Sequence, residues 1–352
     1  MKKIIGIISV SILVFFVAGG IGLYVMFGQQ ISAARSIRKI DEGLYFMEYK
    51  GDYGMDKFLE QGGISNPKEL EFFLIDYFFY GLIEARNESK TEVPAFGCSA
   101  ISVKAKKDSS YFMGRNFDWW DTDPHAMIIH TIPTGDYYES YSTCALHFVF
   151  GNEWVPDASM ETRMMAITTI YVPLDGINEK GLCIADLTAG DNEATIQSGK
   201  KLNLTTTSAI RVILDKAATV DEAIVLLENA NMHSDIGFAH HLAISDATGK
   251  SVVVEYDNNK LCVTPTAFVT NHYICKPEKN KNIDCENSNE RFKTLEQEFS
   301  SYGGRMSSDE VLKSLKAVSN IGTRWSIVYD RNNFAFDFYW EKNYDRPAFS
   351  KK

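Results

Sequence analysis

Two apolar segments, Phe96-Gly97-Cys98-Ser99-Ala100-Ile101 and Tyr111-Phe112-Met113-Gly114-Arg115-Asn116-Phe117-Asp118-Trp119-Trp120, flank a polar run, Lys106-Lys107-Asp108-Ser109-Ser110. Apolar, β-prone flanks around a polar turn read as a β-hairpin. With the turn centred near Asp108, Asp118 falls opposite Cys98, where cross-strand neighbours touch. Arg115 then projects from the other face, unless a bulge or its own length brings it round.

A thiol at the head of a strand, directly after glycine, has the layout of a nucleophile released by cutting the chain at Gly97-Cys98. After such a cut Cys98 carries a thiol and a free α-amine, with ordinary pKa values of about 8.5 and about 7.7–8.0. The amine can take the thiol's proton near neutral pH. A nearby carboxylate would hold the ammonium, and a guanidinium would favour the thiolate. Taken singly, Cys98 would read as a small buried hydrophobe.

The motif Cys98-Ser99-Ala100-Ile101 with Gly114-Arg115-Asn116-Phe117-Asp118-Trp119 resembles the N-terminal-nucleophile cysteine amidases of the choloylglycine hydrolase type. These include bile salt hydrolases, penicillin V acylases and the acid ceramidase and N-acylethanolamine amidase branch. The likeness runs from Cys98 nearly to the C-terminus. It implies a four-layer αββα sandwich, cleavage between Gly97 and Cys98, and Cys98 as nucleophile steadied by Arg115 and Asp118. Asn116 and Trp119 are expected at the substrate. The hairpin carries about one residue more than the family pattern. Asn178-Glu179-Lys180-Gly181-Leu182 resembles the bile salt hydrolases, which have an oxyanion-binding asparagine where this chain has Thr188. A hydroxyl still donates one hydrogen bond. Asn178 itself reads as a turn residue.

The resemblance also assigns an oxyanion role to Asn271, in Val269-Thr270-Asn271-His272-Tyr273, and a supporting role to Arg291, in Asn289-Glu290-Arg291-Phe292. By spacing alone, Asn271 is a polar strand terminator and Arg291 a surface residue. The histidines His240, His241 and His272 are read as lying behind the site.

N-terminal to the hairpin, Lys2 and Lys3 precede an uncharged run from Ile4 to Phe27. It is long enough to cross a bilayer as a helix. Residues 1–30 are therefore expected to anchor the chain with the remainder outside the cytoplasm. Cleavage near Val17-Ala18-Gly19-Gly20 and secretion is the alternative. Residues 31–97 form a leader expected to stay attached as a small subunit. Asn66-Pro67 opens a helix there, with Glu69 and Glu71 favouring its dipole. Its apolar residues run nearly all round, so it should be buried or cover a groove.

Residues 98–352 form the amidase domain, of α+β class. Strands are expected at Ala126–Pro133, Tyr141–Phe150, Leu242–Asp246, Ser251–Tyr256, Leu261–Val263 and Ala267–Thr270. Further strands are expected at Arg324–Asp330 and Phe334–Trp340. Thr207–Ala217 reads as an amphipathic helix. Thr219 and Ser307 are placed as caps of two more. A net charge of −10 without a basic run excludes ordinary nucleic-acid binding. Of six cysteines, Cys275 and Cys285 are close enough in sequence to pair. Ligand spacing for structural zinc is absent.

The function expected is hydrolysis of a linear amide that joins an apolar acyl group to a small amine, with no cofactor or metal. The partners are that small molecule and the membrane, with homo-oligomers left open. The rival readings are an inactive, membrane-tethered binding module of the same fold and a Cys98–His272 peptidase.

Overall fold

The computed structural model describes residues 26–82, 97–120, 123–152, 154–189, 193–235, 238–282 and 286–352. The expected membrane span lies almost wholly outside them. Among the described residues no helix is long and apolar enough to cross a membrane. Residues 26–36 form one helix, α1, that runs through residue 30. Its Ala33 and Ala34 are buried.

Two sheets face each other. The larger has nine strands in the order β1 (Arg38–Asp41), β2 (Leu44–Gly51), β5 (Ala126–Pro133), β6 (Ser140–Ala145), β7 (Asp175–Asn178), β8 (Cys183–Thr188), β11 (His240–Ser245), β12 (Ser251–Asp257) and β13 (Lys260–Pro265). The smaller runs β14 (Phe268–Val269), β3 (Ser99–Ala105), β4 (Tyr111–Asp118), β16 (Thr323–Asp330), β17 (Ala335–Trp340) and β18 (Phe349–Lys351), with β15 (Arg305–Met306) also on β3. A separate parallel pair joins β9 (Leu202–Thr205) and β10 (Ala230–His233).

Alternation along the strands separates the layers. Phe46, Ile128, Ala185, Phe117, Trp325 and Phe338 belong to one apolar cluster between the sheets. The other face of the nine-stranded sheet buries Met47, Ile129, Ile184 and Leu242 against α3 (Pro67–Phe79), α6 (Thr206–Lys216) and α7 (Val220–Glu228). The outer face of the smaller sheet packs Ile101, Val103 and Val328 on α8 (Glu286–Ser301) and α9 (Ser308–Ala317). This is the layered α+β arrangement expected from the sequence. Capping sets the helix starts: Asn66, Thr205, Thr219 and Ser307 each accept the N3 backbone N–H.

The leader is built into the nine-stranded sheet. Its β2 pairs in parallel with β5 across the full length of both strands. Tyr53 donates a 2.7 Å hydrogen bond to buried Asp215 of α6. Short helices α2 (Met55–Glu60), α4 (His147–Phe150) and α5 (Met160–Met165) complete the helical side. The single strand expected over Tyr141–Phe150 is instead β6 followed by α4. Gly151, at φ +83°, closes that last turn onto His147.

Asn178 is the predicted turn residue: Oδ1 accepts from Lys180 and Leu182 N–H, and Nδ2 donates to the Leu214 and Ala217 carbonyls. Cys98, Cys144, Cys183, Cys262 and Cys275 are free thiols. Cys285, the expected partner of Cys275, lies outside the described residues.

Candidate active site

The hairpin register differs by one residue from the expected one. Ser99 pairs with Asn116 and Ala100 with Arg115, so Cys98 falls level with Phe117. The cause is in the turn. Asp108 accepts the Ser110 N–H at 2.8 Å and Ala105 donates to the Ser110 carbonyl, which centres the turn between Lys107 and Asp108. A one-residue slip exchanges the two faces. Arg115 therefore shares the face of Cys98, and Asp118 lies on the other.

Arg115 is completely buried. It donates to the carbonyls of Asn116 (2.6 Å) and Asp186 (2.7 Å), and its Nε sits 2.8 Å from Asp175 Oδ2. Asp175 is fixed in turn by Trp325 Nε1 and Tyr329 Oη. The guanidinium so held lies near enough to the Cys98 thiol for its charge to act on it. Burial pushes that thiol up, and the Arg115 charge pulls it back.

The backbone of Cys98 is gripped from the other side. Its N–H donates to Asn271 Oδ1 at 2.7 Å. Arg291 donates to the Cys98 carbonyl, to Ser99 Oγ (2.8 Å) and to Asn271 Oδ1 (2.8 Å). Two donors on Oδ1 fix the orientation of the Asn271 amide, and its Nδ2 reaches the Thr188 carbonyl (2.9 Å) and Oγ1 (3.2 Å). Arg291 is thus no surface residue.

Asp118 accepts from Asn320 Nδ2 and Thr323 Oγ1, each at 2.7 Å. A bulge on β16 between Thr323 and Trp325 aims that threonine at it. Burial lifts the Asp118 carboxyl to about 6, against the charge of Arg291. Gly97 packs against the same groups: a Cβ there would lie 2.8 Å from Asn320 Nδ2 and 3.0 Å from Asp118 Oδ2. Glycine is the residue that fits before Cys98.

A cavity of about 640 Å³ opens at Cys98. Leu70, Leu74 and Ile75 of α3, with Phe117, Trp119, Phe148, Met165 and Leu187, make its apolar wall. The leader helix thus covers a groove, as its composition suggests. Asp186, Thr188, Thr207, Asp235 and His240 make a polar part.

The structure gathers Gly97, Cys98, Arg115, Asp118, Thr188, Asn271 and Arg291 at one place, with Trp119 in the cavity wall. Asn116 does not join them. Its side chain donates to the Leu315 carbonyl and accepts from Ser326, under α9, and it is not in the wall of this cavity. The corrected register explains this, because Asn116 and Cys98 face opposite ways.

His272 also turns away from Cys98. Its Nδ1 contacts Ser288 and Thr270, and burial lowers its pKa to about 4. His240, expected behind the site, is instead in the cavity wall. His240 and His241 are neighbours on one strand and must face opposite ways. His240 lines the cavity, whereas His241 pairs with buried Glu255.

Fold and site define a layered α+β protein that presents a strand-leading thiol, near a buried guanidinium, to a largely apolar cleft. Residues 98–272 match the family model described as linear amide C-N hydrolases, choloylglycine hydrolase family, and the match starts at Cys98 itself. A penicillin V acylase of Pectobacterium atrosepticum is 34% identical over 106 residues, covering 27% of this chain and 27% of the acylase.

Among solved structures, penicillin V acylase from Agrobacterium tumefaciens shares the fold with a TM-score of 0.50. Its identity is 19%, over 69% of this chain and 83% of that one. A mutant conjugated bile acid hydrolase from Clostridium perfringens gives 0.54 at 16% identity, over 72% and 92%. Residues 98–272 belong to the choloylglycine hydrolase family of linear amide C-N hydrolases.

Proposed function

We propose that the protein is an autoprocessed cysteine amidase that hydrolyses the linear amide of an N-acyl compound. Cys98 Sγ first attacks the Gly97 carbonyl carbon. The peptide C–N bond breaks as the C–S bond forms, and water then hydrolyses the thioester. The products are the Gly97 carboxylate and a Cys98 with free thiol and α-amine.

In turnover the α-amine takes the thiol proton and Sγ attacks the substrate carbonyl. The proton passes to the departing amine, and water releases the acid from the thioester. Arg115 favours the thiolate. Asn271 Oδ1 receives the α-amine, and Asp118 offsets its charge. Asn271 Nδ2 with Thr188 is the donor set for the oxyanion. The leader, anchored in the nine-stranded sheet and against the cleft, stays bound as a small subunit. The N-terminal run places the protein on a membrane, outside the cytoplasm.

The observation that carries this reading is the setting of Cys98 at the edge of a largely apolar cavity: its N–H on Asn271 Oδ1, its carbonyl on Arg291, and the charge of buried Arg115 acting on its thiol. The cavity suits an apolar acyl group and a small amine, as in fatty amides, N-acyl amino acids, bile conjugates or phenoxyacyl β-lactams. Intact mass and N-terminal sequencing of the purified protein test it, together with a panel of N-acyl amides. A fragment beginning at Cys98 that hydrolyses members of the panel is the expected result. A single uncut, inert chain would replace the amidase with a binding module of the same fold.

Two further outcomes follow from the geometry. Asn271→Ala should lower kcat by about 10²–10³, the usual cost of one oxyanion donor, and should slow chain cleavage as well. Self-cleavage should also depend on pH. With its pKa lifted to about 6, Asp118 is ionised above that pH and neutral below it. Its carboxylate is the base beside the uncut Gly97-Cys98 link, so cleavage slows as pH falls. Freshly made chain followed by denaturing electrophoresis should cleave about tenfold more slowly at pH 5 than at pH 7.

A further inference from the structure

The polar part of the cavity contains unmet hydrogen-bonding capacity that the proposed chemistry does not use. His240 is 8% exposed and its Nδ1 is 2.8 Å from Asp186 Oδ1, while its Nε2 is buried without a hydrogen-bond partner. Asp235 accepts the Thr207 N–H on Oδ2 at 2.8 Å, and its Oδ1 is buried without one. Burial pushes the Asp235 carboxyl up and the Thr205 and Thr207 hydroxyls pull it back, but neither closes a hydrogen bond onto Oδ1. Both residues line the cavity. A buried polar group left unmet is costly, so two at one wall call for a ligand that meets them.

The donor and the acceptor differ in kind. With Nδ1 on a carboxylate and a second carboxylate near, His240 is held toward its charged form despite burial, which makes Nε2 a donor. Asp235 offers an acceptor. The charges that line the cavity are Lys68, Glu71, Asp186, Asp235 and His240. Asp186 pairs with His240, which leaves the unmet Asp235 oxygen as the acceptor of this wall.

The position follows from the ladder. His240 pairs directly with Thr188 across β8 and β11. Thr188 holds Asn271, and Asn271 holds the Cys98 nitrogen. The polar wall is therefore on the side of the α-amine. That amine protonates the departing nitrogen, so the amine half of the substrate leaves on this side.

We infer that Asp235 and His240 form a subsite for the amine half of the substrate, selecting a neutral group that both gives and takes a hydrogen bond, such as a carboxamide or hydroxyl, over a carboxylate. This rests on the amidase reading and adds the class of amine to it.

Three amides with one acyl chain test it: N-decanoylglycinamide, N-decanoylglycine and N-propyldecanamide. The first two differ by an NH₂ group in place of a carboxylate oxygen, and the third lacks polar atoms beyond the amide. The processed protein should show kcat/KM at least about tenfold higher for the glycinamide than for either other amide. Asp235→Asn keeps the acceptor for Thr207 and removes the charge, so the glycinamide-to-glycine ratio should fall to about threefold or less.

Equal rates on all three amides, or a preference for the glycine conjugate, overturn the subsite and leave the amidase standing. If no amide is cut, the amidase reading fails instead. Calorimetric binding of the same compounds to uncut Cys98→Ala protein then decides the subsite separately. Tighter binding of the glycinamide by about tenfold upholds it, and equal or reversed affinities overturn it.

Discussion

Cys98→Ala protein is expected to be purified as one uncut chain with amide hydrolysis reduced by at least about 10³-fold, since removing a covalent nucleophile leaves only the binding and oxyanion contributions. The substitution removes Sγ and little else. Cys98 is 3% exposed, and the Asn271 and Arg291 contacts fall on its backbone, which alanine retains. The folded state should therefore survive, as an unchanged circular dichroism spectrum would verify. Intact mass then reports the missing cut, and product analysis reports the missing turnover. Wild-type turnover by Cys98→Ala, or wild-type turnover by a chain with Gly97-Cys98 intact, would place the chemistry on another group.

The second large effect lies away from the reacting atoms. Asp215→Ala should destabilise the protein by about 3–5 kcal/mol, the cost of stranding one member of a buried ion pair. Arg211 Nη2 lies 2.5 Å from Asp215 Oδ1, and both side chains are completely buried. Arg211 also donates to Ser140 Oγ at 2.6 Å. With Asp215 gone, its guanidinium keeps a buried charge without a counter-ion. Tyr53 loses its hydrogen bond to the same carboxylate, so the leader loses a polar tie to α6. Thermal unfolding of the uncut Cys98→Ala chain, with and without the second substitution, measures the loss. A change under about 1 kcal/mol would mean that water or a neighbour satisfies Arg211.

The sequence carried the broad architecture because its signals were local. Asn66-Pro67, Thr219 and Ser307 are cap residues whose effect is complete within one turn. The alternation of Phe336, Phe338 and Trp340 marks a buried face in any register. The site was legible as a set of residues but less so as geometry. Hairpin flanks bound the turn only to within a residue, and the Asp108–Ser110 hydrogen bond that decides its centre is a choice among several polar residues. That single step moved Arg115 to the thiol and Asn116 under α9. Arg211 and Asp215 read as ordinary members of an amphipathic helix. Their burial follows from β6 and Tyr53, which are remote in sequence. His240 became visible only once β11 was placed beside β8.

The second strand of the nine-stranded sheet comes from the segment ahead of the proposed cut. Under the proposed cleavage, that strand and the helix above the cleft would belong to a different molecule from the rest of the sheet. Reassembly after unfolding then becomes a second-order event governed by dilution. A protein cut in that way would owe its lifetime to how slowly it comes apart.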